Sequence, residues 1–251
     1  MTTAVAEIED GLGTLAGTGK LLRFQARRTR FYLLAWFAGI AGGTWMIASA
    51  FPGLYPTAED RAQYALTVNT PAMRSMTGPV EYIESYTDST AAMLAHNMIL
   101  WTGALTAVMF VLLVTRVTRA DEETSRLEVI RSQPVGRRSD LAAALLLATI
   151  AALALGALLA LTVAGVEGAD FGSALLYGLA HSAIGIVFAA LAAVAAQLGG
   201  YGSSANGLAF AVLGFAVLMS GVGSAQGNGA IWLSPVGWAQ ETFVFTAEQR
   251  W

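Results

Sequence analysis

Few side chains in this sequence could take part in chemistry, and they do not combine into a catalytic or metal-binding set. The chain has no cysteine, which excludes disulfides and thiolate metal sites, and only two histidines, His96 and His181. It has no HExxH pattern, and an intramembrane enzyme would need a nucleophile and base, or metal ligands, at matched depth. We therefore predict no catalytic residues, no metal and no enzymatic activity of the chain's own.

His181 is the only histidine, aspartate, glutamate, lysine or arginine within any of the apolar stretches described below. A transporter driven by protons or sodium usually places aspartate, glutamate or arginine inside its spans, because the coupling ion needs a site there. A lone histidine in a membrane helix more often hydrogen-bonds as a packing residue. Ion coupling is therefore disfavoured, and His181 is the residue that would have to carry it.

A glycine-rich stretch near the N-terminus superficially resembles a nucleotide-binding loop. Residues 13–20 read GTLAGTGK. The phosphate-binding loop needs a glycine, four residues, and then Gly-Lys-Ser/Thr after a strand. Here the spacing differs, and Leu21 stands where the hydroxyl residue is needed. We interpret residues 1–19 as a flexible cytoplasmic tail and expect that this chain does not bind ATP itself.

The densest charge lies in residues 116–140, RVTRADEETSRLEVIRSQPVGRRSD, between two runs without formal charge. Acidic residues precede basic ones, a polarity that suits the dipole of a short helix over residues 120–132. Glu122 and Glu123 stand four and three residues before Arg126, so intrahelical ion pairs can form. This pattern predicts a helical loop at a membrane surface, where a partner outside the bilayer could contact the membrane part.

The elements that must position this loop are predicted to be membrane-spanning helices. Of the 251 residues, 55% are hydrophobic and 12% are charged, against about 25% charged in soluble domains. Five apolar runs are long enough to cross a bilayer, because about 20 helical residues rise about 30 Å. The fold class is therefore an all-α polytopic membrane bundle. The runs cover residues 31–51, 97–115, 141–165, 174–198 and 205–224.

Basic residues predict the orientation of the bundle. Residues 20–30, KLLRFQARRTR, hold five of the 14 lysines and arginines, and residues 116–138 hold six. Both clusters flank the same side, which is cytoplasmic by the positive-inside rule. We expect a multi-pass plasma-membrane protein with a cytoplasmic N-terminus. Residues 20–30 are predicted to form an amphipathic helix at the inner membrane surface, or else a basic flank of the first span. Its cationic residues are Lys20, Arg23, Arg27 and Arg28 among others.

Two further features concern packing. Residues 52–96 form a long extracytoplasmic loop in which Thr57 and Asp60 have the spacing of a helix start. This loop either caps a substrate path or is a packed loop without a direct role. The pairs Gly39 with Gly43 and Gly207 with Ala211 would let another helix approach closely, although such pairs are frequent in membrane helices.

Residues 121–138, DEETSRLEVIRSQPVGRR, resemble the cytoplasmic coupling segment of ABC-2 type exporter permeases. That segment has an acidic pair, Arg-Leu-Glu, an apolar run, a Pro-Val pair and a basic pair that opens the next span. Residues 233–238, LSPVGW, also fit the family after the fifth span. The similarity is greatest to actinobacterial antibiotic and multidrug efflux permeases of the tetronasin-resistance type. The resemblance implies coupling residues at Glu122, Glu123, Arg126, Leu127, Glu128, Pro134, Arg137 and Arg138.

The resemblance also implies partners and a mechanism. Separate ATPase subunits would bind the cytoplasmic surface and close on ATP, while this chain binds no cofactor because ATP and Mg are held by that partner. Residues 20–30 and 116–140 would pass the closure to the spans. Six helices would make one half of a permease, of which five are visible. A second half would come from a homodimer mate or from the rest of a longer chain.

Hydrophobic drugs, antibiotics or lipid-like molecules are the substrates that this resemblance implies. Large side chains of the apolar runs are the candidates for a substrate path, although most such residues in a bundle pack or face lipid. The candidates are Trp36, Trp45, Trp101, Met109, Phe188 and Phe215. The alternatives are a secondary transporter and a membrane scaffold that transports nothing. Two observations would discriminate among them: whether an ATPase binds the charged loop, and whether a substrate changes the rate of ATP hydrolysis.

Overall fold

The structure is a computed structural model that describes residues 14–118, 136, 138–199 and 201–250. These residues form helices joined by turns, and no strand occurs among them, so the predicted all-α fold class is confirmed. Two short 3-10 helices, Val80–Ser85 and Gly229–Leu233, complete the described structure. The α-helices are α1 (Thr18–Leu54), α2 (Ala58–Val68), α3 (Pro71–Thr77), α4 (Thr90–Val117), α5 (Ser139–Val163), α6 (Phe171–Leu198), α7 (Gly202–Gln226) and α8 (Pro235–Gln240).

Five of these helices, α1 and α4 to α7, are long and apolar enough to cross a membrane. They correspond one for one to the five predicted apolar runs. We call the end of the bundle at which α4 ends and α5 begins the loop end, and the opposite end the cap end. Helices α4 and α6 are the most buried of the five, and α1 and α7 are the least buried.

Helix α1 differs from its prediction. The basic segment 20–30 is not a separate element, because one helix of 37 residues runs through it and through the first span. No proline interrupts the backbone hydrogen-bond ladder before Pro52, and the helix ends two residues later at Leu54. At 1.5 Å per residue the helix is about 55 Å long, which exceeds a hydrocarbon core of about 30 Å. Part of α1 must therefore project beyond that core.

Helices α5 and α6 touch through their backbones. A Cβ atom added at Gly178 would lie 2.2 Å from the Gly156 carbonyl oxygen, and one added at Gly156 would lie 2.4 Å from the Gly178 carbonyl oxygen. The Ser182 hydroxyl donates across the same contact to the Ala152 carbonyl oxygen at 3.0 Å. Small residues and interhelical hydrogen bonds are the means by which membrane helices pack closely.

The glycines that the small-residue pairs singled out do not make such contacts. Nothing described lies within 4 Å of a Cβ atom built at Gly39, Gly43 or Gly207. Within the described residues, therefore, no other helix makes the close approach that these small residues would permit. The spacing of small residues identifies a smooth helix face. Which helix packs against that face depends on residues that are far apart in sequence.

The segment between α1 and α4 folds onto the cap end. Thr57 caps α2 with a reciprocal capping box to Asp60, which confirms the helix start predicted there. Arg61 of α2 forms an ion pair with Glu167 in the turn between α5 and α6, with 3.3 Å between Nη1 and Oε2. This segment is therefore packed against the ends of the spanning helices.

A buried glutamine ties the cap to the last described helices. The side-chain Nε2 of Gln240 donates to the Thr77 carbonyl oxygen at 3.0 Å, and the side-chain Oε1 of Gln240 accepts from the Ser220 hydroxyl. The Tyr82 hydroxyl donates to the Gln240 backbone carbonyl oxygen at 3.0 Å. Gln240, Ser220 and Tyr82 are all at most 1% exposed. The network fixes α3 and the first 3-10 helix against α7 and α8.

Candidate functional site

The predicted coupling site lies at the loop end, and the structure describes one of its residues. Arg138 precedes α5 and has an exposed side chain. The other seven predicted coupling residues lie outside the described residues, and their roles stay predictions. They are Glu122, Glu123, Arg126, Leu127, Glu128, Pro134 and Arg137.

The loop end holds a contact that the sequence did not reveal. The Gly136 N–H donates to the Ala16 carbonyl oxygen at 2.8 Å, and the Arg138 N–H donates to the Thr14 carbonyl oxygen at 3.0 Å. We call these two hydrogen bonds, which join residues 14–16 to residues 136 and 138, the clasp. The end of the charged loop is thereby fixed beside the turn that precedes α1. Residues 14–19 of the predicted flexible tail are thus structured, whereas its residues 1–13 lie outside the described residues.

One local signal for this turn exists in the sequence. Gly17 precedes α1 with φ of 84°, a left-handed conformation that glycine adopts readily and other residues rarely adopt. The Thr18 hydroxyl donates back to the Leu15 carbonyl oxygen at 2.7 Å, which closes the turn. Gly17, one of the glycines that superficially resembled a phosphate-binding loop, therefore shapes the entry to α1.

A second contact joins α1 to α5 one turn further along. The Gln25 side chain is 2% exposed, and its amide donates to Oδ1 of Asp140 at 3.1 Å. Leu21 and Thr29 lie one turn before and after Gln25 and are also buried, so these residues form one packed face of α1. Asp140 stands in the first turn of α5, immediately after the clasp. The beginnings of α1 and α5 are therefore connected at two levels.

The basic residues of α1 occupy the other faces of this helix. Lys20, Arg23 and Arg27 are exposed, whereas Arg28 is half-buried. Helical periodicity separates them from the buried face that holds Leu21 and Gln25. The exposed cations are thus available to a membrane surface or to a protein partner.

Three of the six predicted substrate-path residues are buried or half-buried in the bundle. Met109 and Phe188 are fully buried in the hydrophobic core. Trp36 is half-buried against Tyr32, with 6.2 Å between the ring centroids. Met109 and Phe188 would have to become exposed by a movement of their helices in order to contact a substrate. Their role in a substrate path stays a prediction.

The other three candidates are exposed, and they lie on different helices. Trp45 of α1, Trp101 of α4 and Phe215 of α7 are 63%, 48% and 52% exposed. Trp101 lines an apolar groove of about 340 Å³ between α3, α4 and α7. The structure therefore does not gather the six candidates at one cavity, and it places Trp101 at a groove whose apolar lining suits a hydrophobic molecule.

Other side chains of the groove have a common character. They are mainly apolar, and the polar part is confined to one edge near α3 and the end of α7. The apolar members include Met76, Leu100, Val217 and Leu218. A groove with this lining buries hydrophobic surface of a ligand and offers few hydrogen-bond partners.

His181 occupies a fully buried position between α4 and α6. Its Nε2 atom lies 2.7 Å from the Thr102 hydroxyl oxygen, and its Nδ1 atom lies 2.8 Å from the Tyr177 carbonyl oxygen. Both ring nitrogens thus have protein partners, as expected for a buried polar group that stabilises helix packing. Among the residues that the structure describes, no three His, Asp or Glu side chains are grouped so as to hold a metal ion.

Comparison with known proteins gives two findings. The family model described as the C-terminal domain of the multidrug efflux system permease Rv1217c matches residues 19–247. The chain is also 38% identical over 244 residues to the multidrug efflux system permease protein Rv1217c of Mycobacterium tuberculosis (strain ATCC 25618 / H37Rv). This match covers 94% of the present chain and 42% of the relative, so the chain spans less than half of the relative's length.

Proposed function

This chain belongs to the family of the C-terminal domain of the multidrug efflux system permease Rv1217c, and from this premise we propose that it is the membrane-spanning part of an ATP-driven exporter of the ABC-2 type. The family is one of multidrug efflux permeases, and five helices of this chain can span a membrane. The resemblance of residues 121–138 to the ABC-2 coupling segment supplies the ATP-driven part of the proposal.

The clasp is the observation that carries the coupling mechanism. A partner that closes on ATP can move the spans only if its docking surface is firmly joined to them. The hydrogen bonds of Gly136 and Arg138 join the end of the charged loop to the turn before α1. The Gln25–Asp140 hydrogen bond then joins α1 to α5. A displacement of the loop by a partner would therefore act on the beginnings of both helices together.

The remaining components of the proposal follow from this arrangement. ATPase subunits bind at the loop end, which faces the cytoplasm, and hold ATP and Mg, while this chain contributes no cofactor site. A second permease half completes the substrate path, supplied by a homodimer mate or by the rest of a longer chain. The groove beside Trp101 favours hydrophobic drugs, antibiotics or lipid-like molecules as substrates.

Copurification tests the proposal directly. The chain in its natural full-length form is isolated from membranes in mild detergent, and the eluate is assayed for a nucleotide-binding protein and for ATPase activity stimulated by hydrophobic antibiotics. We expect a stoichiometric ATPase whose rate rises with drug. Repeated absence of such an ATPase would contradict ATP-driven export and would favour a secondary transporter or a scaffold.

Charge reversal tests the place of coupling. The double variant Glu122→Lys with Glu123→Lys should uncouple ATP hydrolysis from transport and leave membrane insertion intact. Glu84→Lys with Asp88→Lys is a matched control, because it makes the same charge change at exposed positions of the cap end. Unchanged coupling in the first pair, or equal loss in both pairs, would refute the role of residues 116–140.

A further inference from the structure

A separate pocket of about 290 Å³ lies at the cap end, away from the clasp, and the end of α7 contributes residues both to it and to the groove beside Trp101. The first 3-10 helix, the end of α7, the second 3-10 helix and the residue after α8 surround it. Its lining combines carboxylates, hydroxyl and amide groups with an apolar wall. The members that matter here are Val80, Glu81, Ser224, Asn228, Trp232 and Glu241.

Two carboxylates face this pocket, and a single guanidinium partly offsets them. Burial raises the pKa of Glu241, and the negative charge of Glu81 raises it further, while Arg250 acts in the opposite direction. The distance between Arg250 Nη1 and Glu241 Oε2 is 3.5 Å, at the outer limit of a hydrogen bond. The Arg250 guanidinium also lies over the Phe243 ring at 4.6 Å. The pocket therefore carries a net negative charge that its own cation neutralises poorly.

Ser224 supplies an independent sign of a ligand. Its side chain is 4% exposed, and its hydroxyl oxygen has no hydrogen-bond partner among the described residues. Buried hydroxyl groups are normally paired, because an unpaired one destabilises the folded state. Asn228 does not fill this role, since its side chain accepts from the Ala230 N–H and donates to Gln226. Ser224 lines the pocket, and its hydroxyl has no hydrogen-bond partner among the described residues around it.

The apolar wall distinguishes an organic cation from a metal ion. Val80, Ile231 and Trp232 line the same pocket, and the Trp232 side chain is 54% exposed. A divalent metal would need six or more oxygen ligands or a tight cluster of acids and histidines. An ammonium group instead pairs with the carboxylates, hydrogen-bonds to a hydroxyl oxygen and tolerates an aromatic face beside it.

We propose that this pocket binds the ammonium group of a hydrophobic amine, with Glu81 and Glu241 as counterions, Ser224 as a hydrogen-bond acceptor and Trp232 against the apolar body. That such an amine is also exported rests on the proposed function. If the protein is an exporter, hydrophobic amines are one of its substrate classes. Binding itself does not depend on ATP or on an ATPase partner.

Fluorescence binding to the purified full-length chain in lipid nanodiscs, without ATPase or ATP, tests the proposal. The probe is dansylcadaverine, which joins a primary ammonium to an apolar fluorophore, and the control ligand is its neutral N-acetyl derivative. We expect the wild type to bind the cation at least about tenfold more tightly than the neutral derivative. Glu81→Gln with Glu241→Gln should abolish that preference, whereas Glu84→Gln at a nearby exposed position should retain it.

A gain of affinity separates binding from damage to the fold. Arg250→Gln removes the competing cation from Glu241, so the affinity for dansylcadaverine should rise about threefold, which an unfolded variant could not mimic. Equal affinity of the wild type for both ligands, or a preference that survives in the double variant, would overturn the proposal. So would an Arg250→Gln variant that binds the cation no more tightly than the wild type.

These outcomes stand apart from those of the proposed function. Amine binding that follows the pattern above without a copurifying ATPase would support the amine site and contradict the ATP-driven exporter. A drug-stimulated ATPase together with equal affinity for both ligands would support the ATP-driven exporter and contradict the amine site.

Discussion

Replacing Gly178 by alanine should destabilise the protein, because it forces apart two helices whose backbones are in contact. The new Cβ atom would meet the Gly156 carbonyl oxygen at 2.2 Å and the Ala160 Cβ atom at 3.1 Å. An ordinary carbon–oxygen contact is about 3.3 Å, so α5 and α6 must separate by about 1 Å. The obstacle is backbone, which cannot turn away as a side chain can.

The magnitude follows from the cost of overpacking. An inserted methyl that displaces its neighbours in a packed core costs about 1–3 kcal/mol. For a chain of this length each kcal/mol lowers the melting temperature by about 2–4 °C. We expect Gly178→Ala to melt about 3–10 °C below the wild type, measured by tryptophan fluorescence of the purified protein in detergent during heating.

Gly214→Ala is the matched control. It makes the same chemical change in α7, where nothing described lies within 4 Å of the new Cβ atom. Alanine favours a helix over glycine by up to about 1 kcal/mol, so this variant should melt at or slightly above the wild-type temperature. The combined loss in Gly156→Ala with Gly178→Ala should be less than the sum of the single losses, because the helices need to part only once. A Gly178→Ala variant that melts with the wild type would refute the close approach of α5 and α6.

Three further predictions concern the cap end and the exposed helices. Gln240→Leu should lower the free energy of unfolding by about 2–4 kcal/mol, because it leaves the Ser220 hydroxyl and a backbone carbonyl unpaired, and chemical unfolding should show the loss. The pKa of Glu241 is raised in the folded protein, so its ionised carboxylate destabilises the folded state at neutral pH. The stability that the protonated form contributes is lost as pH rises through that pKa. Glu241→Gln should therefore melt above the wild type at pH 7.5, with a difference that vanishes below the ordinary glutamate pKa near 4.5; a constant difference at all pH values would contradict this reasoning. Because the chain has no natural cysteine, Gly39→Cys should cross-link two copies under oxidation if a homodimer mate packs against α1, whereas Gly156→Cys, enclosed between α5 and α6, should not.

The number and type of the spanning elements could be predicted from the sequence because both depend on local composition. An apolar run of about 20 residues without charge is costly to leave in water and can satisfy its backbone in lipid only as a helix. The start of α2 was also predictable, since Thr57 and Asp60 lie within one turn and cap each other directly. These signals act over a few residues and do not require knowledge of the neighbouring helices.

The contacts that position the candidate site could not be predicted in this way, because they join residues far apart in sequence. The clasp connects Thr14 and Ala16 with residues beyond position 135, through backbone groups that every sequence possesses. The glycine contact between α5 and α6 shows the same limit, since Gly156 and Gly178 stand 22 positions apart and share no local motif. Only the folded arrangement shows which small residue meets which.

The distribution of these contacts separates the bundle into a fixed part and an open part. Helices α4, α5 and α6 are more buried than α1 and α7, and the backbone contact at Gly156 holds α5 and α6 together. Helices α1 and α7 flank this part and keep open glycines at Gly39 and Gly207. The clasp attaches the charged loop to α1 as well as to α5, so a force applied at the loop end acts on a fixed helix and on an exposed one together. Because a packed core resists deformation more than a surface does, the exposed helix α1 is the element that such a force would displace more readily.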